Sequence, residues 1–443
     1  MYNKQGRDQS MDPIPKEDSN IFRILDLPDS MIEEIISSLP IKEAVRTSVL
    51  SRGLKDLWKN IPNIELIEEP EGRQQFKAFI DALLTLHNLS SLRNLTLSFQ
   101  VGEDANQVNE WLSRFINPKI KEVVLNLGRV EQQILFPKHM FQSETLTKLE
   151  LGMQNIIEFP SPIRIPNLKI LILKEVIILN GPSTREFFSS FQSLEELTLI
   201  DCEWLNFIDV VGIICRSLKK LVIREWGNGN DDDDDENING QNAPRCNIVI
   251  FGGNQLRSFS YDGNYINDYF LSLHTTSSAM DASVKVHQVG NNWGAGYLVS
   301  RLLNSFVNVE KLSITSFAIQ ALSRMSFSPD LHIPLFRNLV ELNVEGSSID
   351  LSSEALLVIL RNSPYLKALN FDMTLKICNF MAYDEEIYAI FALLSVSWVL
   401  ETFYISINHN HDFESPTGED MLQGILAQIV QFPRAPNSQL EYE

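Results

Sequence analysis

Cysteine is scarce in this chain. Four occur in 443 residues, at Cys202, Cys215, Cys246 and Cys378, and no two lie within four positions of each other. The close Cys–Cys spacing of zinc sites is therefore absent, and no metal or other cofactor is expected. So few thiols also argue against a disulfide framework and for a reducing compartment, cytoplasmic and/or nuclear. Long apolar runs are missing too. The longest lies around Ile387 to Leu400, short of the ~20 residues that a membrane helix needs. The first twenty residues, MYNKQGRDQSMDPIPKEDSN, are polar, hold no apolar signal core and are expected to be disordered. Sequons at Asn88 and Asn94 then read as accidents of composition. Positive charge is the third shortage. There are 37 Lys and Arg against 57 Asp and Glu, a formal net charge of −20. Six of the negative charges fall in one run, Asp231 to Glu236, and the remainder is still acidic. Such a chain repels phosphate, so nucleic acid and membrane surfaces are disfavoured partners.

Apolar residues are plentiful, at 44% of the chain, enough for a large core. The N-terminal stretch RILDLPDSMIEEIISSLPIKEAVRTSVLSRGLKDLW divides into three helical pieces. In the first, Met31, Ile32, Ile35, Ile36 and Leu39 share one helical face. Pro28 and Asp29 suit its first turn. Pro40 starts a second piece with Ile41, Ala44, Val45 and Val49 on its face. Ser51 is placed to cap a third, carrying Leu54, Leu57 and Trp58. This plug is too small to fold alone and carries no His, no Cys and no clustered carboxylates.

From about residue 88 one phrase recurs: a leucine or equivalent, two residues, an apolar residue, one residue, an apolar residue. It reads LRNLTL at Leu92, IKEVVL at Ile120, LTKLEL at Leu146, LKILIL at Leu168 and LEELTL at Leu194. It continues as LKKLVI at Leu218, LRSFSY at Leu256, VEKLSI at Val309, LVELNV at Leu339, LKALNF at Leu366 and LETFYI at Leu400. A weaker copy, MDASVKV, starts at Met280. Most spacings run from 22 to 34 residues, giving about twelve repeats. Apolar residues two apart point to one side of a strand. One such strand cannot bury that side, but many stacked in parallel share a core. The expected architecture is α/β: the N-terminal helices, a connecting helix and entry to the solenoid over 63–90, then a leucine-rich-repeat solenoid over 91–443 with a curved parallel sheet. Intervening stretches such as STREFFSSF and SSEALLVILRNS read as helix. The run at 227–243 reads as an acidic, disordered insert between repeats.

The stretch LPDSMIEEIISSLPIKEAVRTSVLSRGLKDLW resembles the F-box, with LP before the first helix, SLP between helices and TSVLS leading to LW. An F-box over 21–62 followed by irregular leucine-rich repeats resembles the plant F-box/leucine-rich-repeat family, including members with an FBD-type C-terminal region. The segments LLVILRNSPYLKALNF and FPRAPNSQLEYE are similar to that family's late repeats and closing strand. The resemblance implies a docking module for a Skp-type adaptor, and through it a cullin–RING ubiquitin ligase. By position it implies adaptor contacts from Leu27, Pro28, Ile32, Ile35, Ile36, Leu39, Pro40, Val45, Val49 and Leu50. The family usually has Ser-Arg/Lys-Arg-Trp where this chain has Ser51-Arg52-Gly53-Leu54, so Gly53→Arg with Leu54→Trp is expected to strengthen docking.

No nucleophile–base set can be assembled, and no enzyme is expected. The run at Asp231–Glu236 lacks the spaced oxygens and turn glycine of a calcium loop. GNNWGAG, Gly290 to Gly296, has no following Lys-Ser/Thr and reads as a flexible connection rather than a phosphate loop. His409, His411 and Asp412 read as a solvated loop, and Cys202 as a small buried hydrophobe. The outward strand positions are the candidate target contacts: Lys148, Glu150, Glu196, Lys220, Arg224, Lys311, Glu341, Glu345, Asp372 and Tyr404. The function this implies is substrate recognition for a ubiquitin ligase. The rivals are a receptor that uses the same solenoid for a small ligand and a repeat scaffold whose F-box does not dock.

Overall fold

The computed structural model describes residues 27–70, 72–206, 210–226, 246–264, 267–273, 280–287, 293–325, 332–346, 354–373, 402–405 and 439–442. The N-terminal twenty residues, the acidic insert, Cys378, the apolar run at 387–400 and the His409–Asp412 loop lie outside them.

Two α-helices open the described chain, α1 (Asp29–Ser38) and α2 (Ile41–Thr47). Pro28 and Pro40 stand at their N-caps with φ of −56° and −54°, the angle a proline ring enforces. Leu39 has ψ 149°, because the residue before a proline is driven out of the helical region. The third helical piece differs from expectation. Ser51 Oγ does accept from the Leu54 N–H at 3.3 Å, yet the chain beyond Ser51 forms a run of turns and a four-residue 3-10 helix, Leu57–Asn60. Gly53 stands at the start of this stretch, where a glycine weakens an α-helix by up to about 1 kcal/mol.

Fourteen parallel strands then form one sheet in chain order. They are β1 (Asn63–Ile67), β2 (Asn94–Ser98), β3 (Glu122–Arg129), β4 (Lys148–Gln154), β5 (Ile170–Lys174), β6 (Glu196–Ile200) and β7 (Lys220–Glu225). The series continues with β8 (Ser258–Gly263), β9 (Asp281–Val286), β10 (Lys311–Thr315), β11 (Glu341–Gly346), β12 (Ala368–Met373), β13 (Thr402–Ile405) and β14 (Gln439–Tyr442). Every copy of the recurring phrase, the weak one included, supplies a strand. The pairing is in register, so Leu149, Leu171, Leu197 and Leu221 stack as one fully buried row.

The buried side of the sheet is covered by α3 (Arg73–Leu86), α4 (Ala105–Phe115), α5 (Pro182–Ser189), α6 (Trp293–Ser305), α7 (Ser316–Ser323) and α8 (Glu354–Arg361). STREFFSSF and SSEALLVILRNS lie at α5 and α8 as expected. Between Gln154 and Leu273, however, much of the covering layer is strand. Two further parallel sheets run there, 156–157 with 177–179 and 203–205, and 211–215 with 247–252 and 268–273. The shortest repeats leave little chain for a helix, and their connecting segments are rich in Ile and Val, which fit a pleated surface better. GNNWGAG also departs from expectation. Its residues from Trp293 onward begin α6. A Cβ at Gly296 would lie 2.4 Å from the Ala321 carbonyl oxygen, so this glycine lets α6 approach α7.

The helical module and the sheet share one hydrophobic cluster, from Ile32 through Trp58, Ile61 and Ile64 to Leu369. Ile41 and Ala44 of α2 are buried, and α2 packs on β1. The backbone joins the two as well. Asn88 N–H donates to the Lys59 carbonyl at 2.8 Å, and Arg93 and Asn94 N–H both donate to that of Pro62. The sheet begins inside the stretch 63–90, with β1 at Asn63–Ile67 and α3 at Arg73–Leu86.

Candidate functional site

Two surfaces stand out. The first belongs to the helical module, where the ten candidate residues separate by burial. Ile32 and Ile36 are in the core, at 5% and 1% exposure. Leu27, Leu39 and Val45 pack half-buried against it. Pro28, Ile35, Pro40, Val49 and Leu50 are exposed, and so is Met31, which the motif positions did not single out. Met31 and Ile35 are four apart on α1 and share a face. Val49 and Leu50, at 84% and 74%, are the most exposed large apolar side chains among the described residues. Leu54 is buried and belongs to the core, whereas Gly53 is exposed.

The second surface is the exposed face of the large sheet. Register sets its outward positions in three rows. One holds Lys148, Ile170, Glu196, Lys220, Lys311 and Glu341. The middle row holds Glu150, Ile172, Thr198, Val222 and, further on, Tyr404. The third holds Lys174, Ile200, Arg224, Glu345 and Asp372. Of the ten candidate positions, Lys148, Glu196, Lys220, Arg224, Lys311, Glu341 and Glu345 are half-exposed or exposed on this face, Glu150 lies on it but is buried at 8%, and Asp372 and Tyr404 are placed in the rows by backbone register. Pairing neutralises most of their charge. Lys174 Nζ lies 2.5 Å from Glu150, Lys311 lies 2.8 Å from Glu341, Lys220 lies 3.8 Å from Glu196, and Lys285 pairs with Glu345. Charge identity alone missed Ile170, Ile172 and Ile200, half-exposed apolar side chains on this face. It also missed Trp226 and His287, whose rings stack with centroids 4.6 Å apart just past β7 and β9.

The F-box domain profile matches residues 24–66, and the profile described as At1g61320/AtMIF1, LRR domain, matches residues 83–319, more than half of the chain. This chain belongs to the F-box/leucine-rich-repeat family. The Arabidopsis thaliana F-box/LRR-repeat protein At3g26922 is 30% identical over 213 residues, 47% of this chain and 69% of the relative. F-box/LRR-repeat protein At3g58930, also from Arabidopsis, is 28% identical over 384 residues, 78% of this chain and 76% of that one. F-box/LRR-repeat protein At3g59190 is 25% identical over 370 residues and 92% of its own length. An F-box joined to leucine-rich repeats is the composition of a substrate adaptor of the Skp–cullin–F-box type, and such family members are generally non-catalytic.

The F-box match reaches into β1, so this F-box ends within the sheet that the repeats continue. Along the repeats, a cleft of about 580 Å³ crosses the ends of β1 to β5, lined by Arg73, Gln100, Asn126, Gly152, Lys174 and others. Arg73 is committed there: it pairs with Glu68 and Asp104 and donates to the Val101 carbonyl at 2.8 Å. The described cysteines, Cys202, Cys215 and Cys246, are buried, and burial pushes each thiol up to about 12, so none is a thiolate nucleophile at neutral pH. Glu225 is a buried carboxylate at 2% exposure. It accepts from the hydroxyls of Tyr261 and Tyr269 at 3.2 and 2.9 Å and from Asn267 Nδ2 at 2.7 Å. These bonds tie β7 to the covering layer, and burial of the Tyr269 hydroxyl, reinforced by Glu225, raises its pKa well above the ordinary value.

Proposed function

We propose that this chain is a substrate-recognition subunit of a Skp–cullin–F-box ubiquitin ligase. Its F-box docks on a Skp-type adaptor, and its repeats hold a target protein. The chain performs no chemistry of its own. It fixes the target near a ubiquitin-charged enzyme and so turns an encounter between separate molecules into a local one.

The observation that carries this reading is the exposure of Val49 and Leu50, with Met31 and Ile35 on the same small module. Apolar side chains left in water at such density mark a surface that a partner covers. The partly buried Leu27, Leu39 and Val45 would flank that contact, while Ile32 and Ile36 support it from within. The decisive experiment mixes the full chain with a purified Skp-type adaptor. Binding by the native chain, lost in Val49→Asp/Leu50→Asp with an unchanged melting temperature, supports docking. Undiminished binding by that double variant sinks it.

A small-ligand receptor would be favoured by an apolar pocket spanning several repeats. The cleft across β1 to β5 does span them, but its lining includes Glu68, Arg73, Lys174 and Glu175. Such a lining favours a polar ligand, and the reading ranks second.

A further inference from the structure

The exposed sheet face is not uniform. Six cations stand in its three rows: Lys148, Lys174, Arg224, Lys220, Lys285 and Lys311. The five lysines each have a carboxylate within 4.0 Å. Arg224, exposed on β7, has no ion-pair partner among the described residues.

Its surroundings differ from the rest of the face as well. Register sets Arg224 between Ile200 and Asp262, whose carboxylate lies 2.5 Å from His287 Nε2, and Val222 beside Thr198, which in turn neighbours Ile172. Ile172, Ile200 and Val222 are half-exposed, a contiguous apolar strip over three adjacent strands. The Lys174–Glu150 pair bounds it on one side and Arg224 on another. An apolar centre inside a charged rim is the anatomy of a protein interface.

Trp226 adjoins this patch, two residues beyond Arg224 and 47% exposed. It is exposed but held. Its backbone N–H donates to Asp201 Oδ1 at 2.7 Å, and its backbone carbonyl accepts from Asn264 Nδ2 at 3.3 Å. Its ring rests on His287, whose Nε2 lies 2.5 Å from Asp262 Oδ1. An indole fixed in advance loses little freedom when a partner covers it. Trp and Arg are also the residues that most often dominate binding energy.

We infer that this patch is the target-docking centre, and that the target presents an aliphatic or aromatic side chain beside a single carboxylate. The apolar group covers Ile172, Ile200 and Val222, and the carboxylate takes the Arg224 guanidinium, a two-point contact that a lysine could not make. One carboxylate is specified because a run of them would be repelled by a chain of net charge −20. The inference rests on the reading that the repeats recognise a protein.

The test pans a displayed library of short random peptides against the full chain. The expected result is enrichment of peptides with an apolar residue and one Asp or Glu close together. A selected peptide should lose about tenfold or more in affinity for Arg224→Glu and for Trp226→Ala, and little for Glu122→Gln on the same face. Exchanging its Asp for Lys should restore binding to Arg224→Glu. Arg224→Gln, which removes charge without reversing it, gives an independent loss should the glutamate variant fold poorly. Enrichment of peptides without a carboxylate, affinity indifferent to Arg224 and Trp226, or no enrichment overturns the inference. Adaptor binding is scored separately on the same proteins. Its loss with peptide preference intact sinks the ligase reading alone, and the reverse sinks only this patch.

Discussion

His87 Nε2 lies 3.0 Å from the carbonyl oxygen of Ile61, across the joint between the F-box and the first repeat. The ring is buried, and its Nδ1 has no partner. Nε2–H therefore donates, and the neutral imidazole fits where an imidazolium would not. Burial holds the His87 pKa below its ordinary value, against a smaller opposing effect of the Ile61 bond. The unfolded chain then takes up a proton before the folded one. Stability is fully present above about pH 6.5 and falls as pH drops from there toward the folded pKa. Chemical denaturation of the native chain and of His87→Gln, each at pH 7.5 and 5.5, isolates this group. The native chain should lose more stability on acidification than the variant.

Ile35 and Ile36 are neighbours with opposite environments, at 36% and 1% exposure. Ile35→Asp should leave the melting temperature nearly unchanged while abolishing adaptor binding. Ile36→Asp buries an unpaired carboxylate at a cost of several kcal/mol and should unfold the F-box itself. Circular dichroism with an adaptor titration separates the two. Equal loss of helix in both variants would defeat the distinction.

Leu54 is buried against the F-box core with Trp58. The resemblance alone leads to the expectation that the family's usual Trp at this position strengthens docking. Its burial here argues the other way, because extra volume in a close-packed core costs about 1–3 kcal/mol. Leu54→Trp alone should lower stability, and Gly53→Arg alone should be nearly neutral. A thermal melt of each single variant checks both.

Glu225 accepts from two tyrosine hydroxyls and an asparagine amide in a buried setting. Glu225→Leu strands these donors together with the Asn267 backbone N–H, which lies 3.3 Å from Oε2, and should cost about 3–5 kcal/mol. Glu225→Gln keeps one acceptor oxygen and should fall between. Urea midpoints rank the three proteins, and a leucine variant as stable as native would mean that solvent reaches the site.

Much of the fold was legible because Leu149 and Leu151 carry two signals at once, the period of a strand and the burial of a core. The covering layer was less so. Ile156, Ile157 and Ile177–Leu179 are apolar runs of two and three residues, too short to display the alternation of a strand. LKILIL is apolar at both parities, which hid the outward-facing Ile170 and Ile172. Trp226 and His287 follow strand ends, where periodicity stops, and their stacking joins residues 61 positions apart. The motif named the F-box positions but could not part Ile36 from Ile35, since both satisfy the same helical pattern.

Because α2 packs directly on β1, the F-box and the repeats form a stiff lever. Six strand spacings of roughly 4.8 Å separate β1 from β7, an arm of about 29 Å. A tilt of about 5° at the joint would therefore swing Arg224 by about 2.5 Å along that arm. Adding or removing a repeat between the two ends would lengthen or shorten the reach by one spacing and rotate the far end by one increment of sheet twist. On the proposed ligase reading, the joint at Ile61 and Pro62 thus sets where in space a target lysine would be offered.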